Sequence, residues 1–299
     1  MAQKLAVGFI GLGFMGHGMA RNILEKGHGL SVLGHRNRAP VDDLVKRGAK
    51  EAKSAKELAA ASDIVFICVT GSRQVEELVR GPGGLAAGAR DGAIIADCST
   101  ADPTSTLALA SELASKGVHF IDAPLGGTPA QAEAGKLSTM IGASVEVFAR
   151  IKPACETWAA KVDHVGKVGD GHKMKLINNF LSLGYGAVYA EALTLAQKTG
   201  ITPAAFDKVI RGGRMDCGFY QTFMQYVLTR DRDAHKFTIA NAAKDTRYLA
   251  SLADAEGVAN PIGAAVKNSY AAALAAGKGE DFVPMLSDFV AAANGVKLA

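Results

Sequence analysis

One stretch near the start constrains the fold more than any other part of the chain. Leu5-Ala6-Val7-Gly8-Phe9-Ile10 has the apolar character of a buried strand. It runs directly into Gly11-Leu12-Gly13-Phe14-Met15-Gly16 and then into a helical pattern through Arg21 and Leu24. At this spacing the first glycine permits a tight turn, the second lets a pyrophosphate approach the backbone, and the third lets the helix pack on the strand. The N–H groups and positive dipole end of the new helix then favour an anion. A glycine-rich turn alone would say little. Between a strand and a helix, the motif points to a bound dinucleotide.

The first half of the chain keeps alternating in the same way. Residues 5–10, 31–33, 64–69, 93–97 and 119–122 each read as a buried parallel strand, with helices predicted over 15–26, 41–47 and 104–116. Such alternation builds a doubly wound α/β sheet of the Rossmann type. Further strands are expected at 137–141 and 162–165.

After residue 165 the texture changes. Gly169-Asp170-Gly171 opens a long helix predicted to run to Lys198 and to stop at Gly200, and Thr202-Pro203 supplies the N-cap and first turn of the next. The alanine-rich remainder reads as further helices. The expected organisation is a dinucleotide-binding Rossmann domain over 1–165, then an all-α domain over 166–299 for substrate and oligomerisation. The long helix joins them. It is apolar around much of its circumference and carries Gly184 and Gly186, each about 1 kcal/mol worse than alanine in a helix. Such residues suit close packing by another backbone, and the helix is also expected to serve as an oligomer contact, in a homodimer or homotetramer.

Composition narrows the partners. In 299 residues, 48% hydrophobic and 21% charged is a globular balance, not a disordered one. The net charge of +4 is spread among acids, with no basic block interleaved with aromatics, so no nucleic-acid partner is expected. A weak positive field suits small anionic ligands. The four cysteines (Cys68, Cys98, Cys155, Cys217) form no CxxC and the seven histidines no HExxH, so no metal site is expected. The apolar stretches are interrupted by glycine and polar residues, and the first strand leaves no room for a leader. The expected setting is cytoplasmic, with no membrane contact.

The second strand bears on the cofactor. An NAD site normally has Asp or Glu after it, about 20 residues beyond the glycines, to bind the ribose hydroxyls. Here the strand is followed by Gly34-His35-Arg36-Asn37-Arg38, with no carboxylate before Asp42. Guanidinium groups there would pair with a 2′-phosphate. The expectation is NADP, with NAD as the alternative; the competing reading is a solvated basic loop. Val69 and Thr70, at the end of the third strand, complete this side of the site.

The other informative stretch is Gly169-Asp170-Gly171-His172-Lys173-Met174-Lys175-Leu176-Ile177-Asn178-Asn179. Lys175 and Asn179 are four apart and share a helix face, whereas Lys173 faces elsewhere, above Ile177. A lysine in the first turns of a helix meets the positive end of the dipole, which disfavours its charge. That environment suits a group that must exchange a proton. Taken alone, the same lysine also reads as a solvated residue on an amphipathic helix.

Together these motifs resemble the β-hydroxyacid dehydrogenase family, which includes 3-hydroxyisobutyrate dehydrogenase, tartronate semialdehyde reductase and the glyoxylate/succinic semialdehyde reductases. The resemblance covers nearly the whole chain. It is carried by the opening glycine motif, Asp97-Cys98-Ser99-Thr100, and Asp122-Ala123-Pro124-Leu125-Gly126-Gly127-Thr128 with Ala132-Glu133-Ala134-Gly135. It continues through Gly169-x-Gly171 with Lys175 and Asn179, and Lys244-Asp245. The resemblance implies that Lys175 is the general acid/base on the substrate oxygen and that Asn179 orients that oxygen. It implies that Gly126 and Gly127 lie against a substrate carboxylate, where backbone N–H groups can donate. Thr100 and Lys244 would line the cofactor site.

One departure concerns the substrate. The family's loop usually has serine where this chain has Gly126, and often glycine where it has Thr128. Either Thr128 restores the missing hydroxyl, or backbone donors suffice and the pocket is roomier. Arg211, Arg214, Asp216 and Cys217 also replace a stretch that is commonly small and polar. The alternative functions are an imine reductase, against which Lys175 argues, and a non-catalytic nucleotide-sensing module on the same fold.

Overall fold

The computed structural model describes residues 4–298. The chain divides into two compact units after Lys175. That is ten residues beyond the boundary expected from the sequence, because the first turn of the long helix packs on the strand ends of the first unit.

The first unit begins with β1 (Ala6–Ile10), α1 (Gly16–Glu25), β2 (Gly29–Leu33), α2 (Ala39–Lys46), β3 (Lys50–Ala52), α3 (Ala55–Ala60), β4 (Ile64–Ile67) and α4 (Ser72–Arg80). It continues with β5 (Ile94–Asp97), α5 (Pro103–Ala114), β6 (His119–Asp122), β7 (Leu125–Gly126), α6 (Pro129–Glu133), β8 (Leu137–Gly142), α7 (Val145–Cys155) and β9 (Ala159–Gly166). Among the described residues these strands form one sheet, ordered β3-β2-β1-β4-β5-β6-β8-β7, with β9 paired to β8. The strands from β3 to β6 along that order are parallel. β8 runs antiparallel to β6 and β7, and parallel to β9.

Both faces of the sheet are buried at its centre, which is why β1, β4, β5 and β6 read as continuous apolar runs. Ile64 and Phe66 of β4 and Ile94 and Ala96 of β5 join a core with Phe9, Met19 and Trp158. The alternate residues Val65, Ile67 and Ile95 join a second core with Leu58, Leu85 and Phe120. Trp158 stands edge-on to Phe66 with centroids 5.8 Å apart. Each fully buried side chain of this size contributes roughly 1.5–3 kcal/mol.

The helix α8 (Asp170–Lys198) carries the chain into the second unit, where α9 (Pro203–Ile210), α10 (Gly218–Thr229), α11 (Ile239–Ala255), α12 (Pro261–Ala275) and α13 (Leu286–Ala293) follow. Thr202 caps α9 by accepting from the Ala205 N–H, with Pro203 in its first turn. The core gathers Leu183, Leu193, Tyr220, Phe223, Tyr270 and Val283. The two helix glycines differ. A Cβ at Gly186 would lie 2.7 Å from the Tyr270 hydroxyl, which donates to the Leu183 carbonyl at 3.0 Å, so the close approach is real there. A Cβ at Gly184 would meet only Val266, at 3.8 Å. Among the described residues no helix is long and apolar enough to cross a membrane.

Candidate active site

The first part of the site is a cradle at the ends of β1, β2 and β4. Gly11 has φ +96°, and a Cβ there would overlap the Cys68 carbonyl, so only glycine makes this turn. Among the described residues nothing lies within 4 Å of where a Cβ of Gly13 would be, leaving that backbone open to a pyrophosphate. A cavity of about 490 Å³ sits here, within the range of a small-molecule site. Of the residues expected from the sequence, Gly11, Leu12, Gly13, Asn37, Val69 and Thr70 line it. Phe14 is 69% exposed at the tip of the loop, and Met15 and Gly16 begin the helix behind it. Gln74, Glu77 and Leu78 of α4 also line the cavity. Sequence reasoning missed them because nothing in their spacing marks a site.

The two arginines after β2 differ. Arg38 is committed: its guanidinium donates to Glu51 at 2.5 and 2.9 Å and to Asp42 at 3.1 Å. These bonds hold the Glu51 carboxyl below its usual pKa. Glu51 lies on β3 directly beside Val32 of β2, so a carboxylate reaches the end of the second strand from the neighbouring strand. Arg36 is exposed and, among the described residues, has no ion-pair partner.

The second part is a buried polar node that fixes the start of α8. Asp97, at the end of β5, accepts from the Ser99 N–H at 2.8 Å, and the Ser99 hydroxyl accepts from the Val69 N–H at 3.0 Å. This arrangement holds the turn that leads to Thr100. Asp122, at the end of β6, accepts from the N–H groups of Gly169 and His172, both at 2.7 Å. A carboxylate here satisfies orphan donors and faces the positive end of the dipole. Burial pushes the pKa of Asp122 up, against the pull of His172 and these two donors.

His172 is fully buried, with Nε2 3.1 Å from the Ser99 carbonyl and Nδ1 2.7 Å from the Thr106 hydroxyl. A carbonyl can only accept, so Nε2 donates to Ser99, and the Thr106 hydroxyl beside Nδ1 also reaches the Asp102 carbonyl at 3.2 Å. The first turn of α8 is thereby bound to the loop bearing Ser99 and to α5. Lys175 follows three residues later, half-buried, and helix geometry puts it on the face of Asn179.

Within the second unit, the expected residues Asn179 and Lys244 meet around one carboxylate. Asn179 is buried, and its Nδ2 donates to Asp245 Oδ2 of α11 at 2.7 Å. Asp245 Oδ1 makes an ion pair with Lys244 Nζ at 3.0 Å, although it has no aligned hydrogen bond. Lys244 Nζ also stands 5.3 Å from the Tyr248 ring centre. Asp245 therefore fixes which way the Asn179 amide faces, leaving one N–H and the carbonyl oxygen for another group. The sequence marked the Lys-Asp pair. It did not show that the aspartate serves Asn179.

The loop after β7, in the first unit, carries the remaining residues expected from the sequence. Gly126 pairs with Ser138 across β7 and β8, and Gly127 has φ +127°. Thr128 is the N-cap of α6: its hydroxyl accepts from the Gln131 N–H, and the Gln131 side chain accepts from the Thr128 N–H. Arg21 and Asn22 of α1 donate to the carbonyls of Glu133 and Ala132, tying α6 to the helix of the cofactor cradle. Among the described residues, no group of three or more His, Cys, Asp or Glu side chains is arranged to hold a metal ion.

Comparison with known proteins agrees in class. Residues 6–166 match the family model for the NAD-binding domain of 6-phosphogluconate dehydrogenase, and residues 169–288 that for the NAD-binding region of NADP-dependent 3-hydroxyisobutyrate dehydrogenase. The chain is 38% identical over 210 residues to 2-(hydroxymethyl)glutarate dehydrogenase of Eubacterium barkeri, covering 70% of this chain and 69% of that protein. It is 33% identical over 270 residues to 3-hydroxyisobutyrate dehydrogenase of Pseudomonas aeruginosa, covering 88% and 90%. A solved structure of 3-hydroxyisobutyrate dehydrogenase from Mycobacterium tuberculosis with L-serine superposes with a TM-score of 0.86 at 25% identity, over 96% of this chain and 99% of that one.

Proposed function

The chain belongs to the β-hydroxyacid dehydrogenase family, and on that premise we propose that Lys175 is the acid/base of its hydride transfer. The protein is an NAD(P)-dependent oxidoreductase of small hydroxy acids. The observation that carries the role of Lys175 is its place. It stands one turn beyond a helix start held by Asp122 and His172, on the face of Asn179, whose amide Asp245 orients.

When bound, the nicotinamide supplies or accepts the hydride. In oxidation the Lys175 amine takes the hydroxyl proton as the carbinol C–H bond breaks, and in reduction its ammonium returns a proton to the carbonyl oxygen. The Asn179 N–H that Asp245 leaves unused donates to the same oxygen and stabilises charge developing there. Backbone N–H groups at Gly126 and Gly127 hold the carboxylate. Residues 11–16, with Val69 and Thr70, would hold the dinucleotide, and Thr100 and Lys244 are the further residues that the family resemblance assigns to the cofactor. NADP is the preferred form, a reading supported by Arg36 and by the absence of a carboxylate immediately after β2.

The relatives' names share one piece of chemistry. 3-Hydroxyisobutyrate, 2-(hydroxymethyl)glutarate and L-serine each carry a hydroxymethyl group on the carbon next to a carboxylate. The proposed substrate is a 3-hydroxy acid of that kind, or the matching semialdehyde. A screen of such compounds with NADP and NAD tests this: turnover of at least one is expected, and turnover of none with either cofactor refutes it.

The working form is proposed to be a homodimer or homotetramer. Ile177, Leu181, Tyr185, Val188 and Leu195 of α8 are all exposed at helical spacing, an apolar stripe of the kind that marks a contact. Light scattering that reads a multiple of the 31.0 kDa chain supports this, and the monomer mass refutes it.

A further inference from the structure

Residue 126 lacks a side chain, and the space where one would begin is already filled. A Cβ on Gly126 would lie 2.5 Å from the Ser138 hydroxyl oxygen, and among the described residues nothing but Ser138 comes within 4 Å of it. Gly126 and Ser138 are direct partners across the antiparallel β7–β8 pair. We propose that Ser138 presents, from the neighbouring strand, the hydroxyl that residue 126 does not carry, and that it donates to the carboxylate of the substrate. The proposal rests on the reading of the Gly126–Gly127 loop as the carboxylate side of the pocket.

The nearby hydroxyls sort themselves by their partners. Thr139, next along β8, is fully buried and donates to the Ala123 carbonyl at 2.9 Å, on the opposite face of the strand. Thr128 Oγ1 is the cap acceptor of α6. Ser138 is partly exposed, and among the described residues its hydroxyl has one hydrogen bond, to the Gly126 carbonyl, 3.3 Å long. Hydroxyl donors bond best at about 2.7–2.8 Å, so this proton is weakly held and free to turn toward a better acceptor. A carboxylate oxygen is such an acceptor.

Gly126 and Ser138 are thus two halves of one solution. The backbone at Gly126 does not have the positive φ that would bar another residue, so the obstacle to a side chain there is the Ser138 hydroxyl. A serine at 126 requires Ser138 to move aside, and removing that hydroxyl makes room for it.

The test uses the full-length enzyme, the short 3-hydroxy acid that it oxidises fastest, and the methyl ester of that acid, which keeps the shape and loses the charge. Ser138→Ala is expected to raise KM for the acid about tenfold or more, with kcat little changed and KM for the ester unmoved. Ser138→Thr, which keeps the hydroxyl, should stay near wild type. Gly126→Ser should be impaired, and the double variant Gly126→Ser/Ser138→Ala should recover most of the loss. An unchanged KM in Ser138→Ala, equal effects on acid and ester, or a double variant no better than Gly126→Ser overturns the proposal. If wild type itself does not distinguish acid from ester, the carboxylate reading of the loop falls with it. If wild type does distinguish them and Ser138→Ala is silent, only the assignment to Ser138 is wrong.

Discussion

The side-chain amide of Asn179 donates to the carboxylate of Asp245 at 2.7 Å, and both residues are almost completely buried. Left alone, an amide can turn over, exchanging donor for acceptor. Tied to a carboxylate that can only accept, it has one orientation. Asp245→Asn removes that constraint and leaves Lys244 without its counter-charge. It is expected to lower kcat/KM by about tenfold or more, from the loss of a hydrogen bond to a charged group. In an Asn179→Ala background the same change should cost much less, because coupled residues are not additive. Equal losses in both backgrounds, measured by steady-state kinetics, would place Asp245 outside the positioning of Asn179.

The cofactor preference should rest on Arg36 more than on Arg38. Arg38 is held by Glu51 and Asp42, and a 2′-phosphate would have to compete with both carboxylates for it. The expected outcome is kcat/KM favouring NADPH over NADH, with Arg36→Ala eroding that preference more than Arg38→Ala. Glu51→Gln, by loosening Arg38, should sharpen it. Equal efficiencies that neither arginine substitution changes would refute the account of this pocket.

Acid stability should report on His235. Its ring lies 3.0 Å from the Thr222 hydroxyl and edge-on to Phe219, and burial pushes its pKa down to about 4. Above pH 6.5 both folded and unfolded chains hold it neutral. Between pH 6.5 and 4 only the unfolded chain takes up the proton, so folding stability falls as pH drops through that window. The loss reaches at most about 3.5 kcal/mol, because a tenfold difference in proton affinity between the two states is worth about 1.4 kcal/mol. Urea unfolding at about pH 7.5, 6 and 5, spanning that window, should show a shallower fall for His235→Gln than for wild type. Parallel slopes would mean that His235 is not responsible.

Much of the framework was legible because it follows from local chemistry. The buried strands announce themselves as apolar runs, and β6 lies where the sequence put it, at His119–Asp122. Helix α8 ends at Lys198 before Gly200, as the glycine stop implied. What escaped has no local signal. β3 is three residues, Lys50–Ala52, with its first two side chains exposed, and only its backbone pairing with β2 makes it a strand. β7 is two residues long.

The site follows the same rule. Glycines and the Lys175–Asn179 pair are visible as spacing along the chain. Glu51 beside Arg38, Asp245 behind Asn179 and Ser138 beside Gly126 are relationships across strands and helices, which no window of sequence contains. Thr128 shows the converse: its hydroxyl stood out in sequence as a substrate candidate, yet the nearest demand on it is the cap of α6. Losing an N-cap side chain typically costs about 1 kcal/mol, so Thr128→Val would change stability whatever it does to the substrate.

The claim on which the rest depends is that Lys175 moves the proton. The direct measurement is kcat for Lys175→Ala beside Lys173→Ala, with cofactor affinity determined separately by titration. The expected result is a kcat lower by about 10²–10⁴ in Lys175→Ala, with cofactor binding preserved and Lys173→Ala close to wild type. Near-normal turnover by a folded Lys175→Ala enzyme would contradict it.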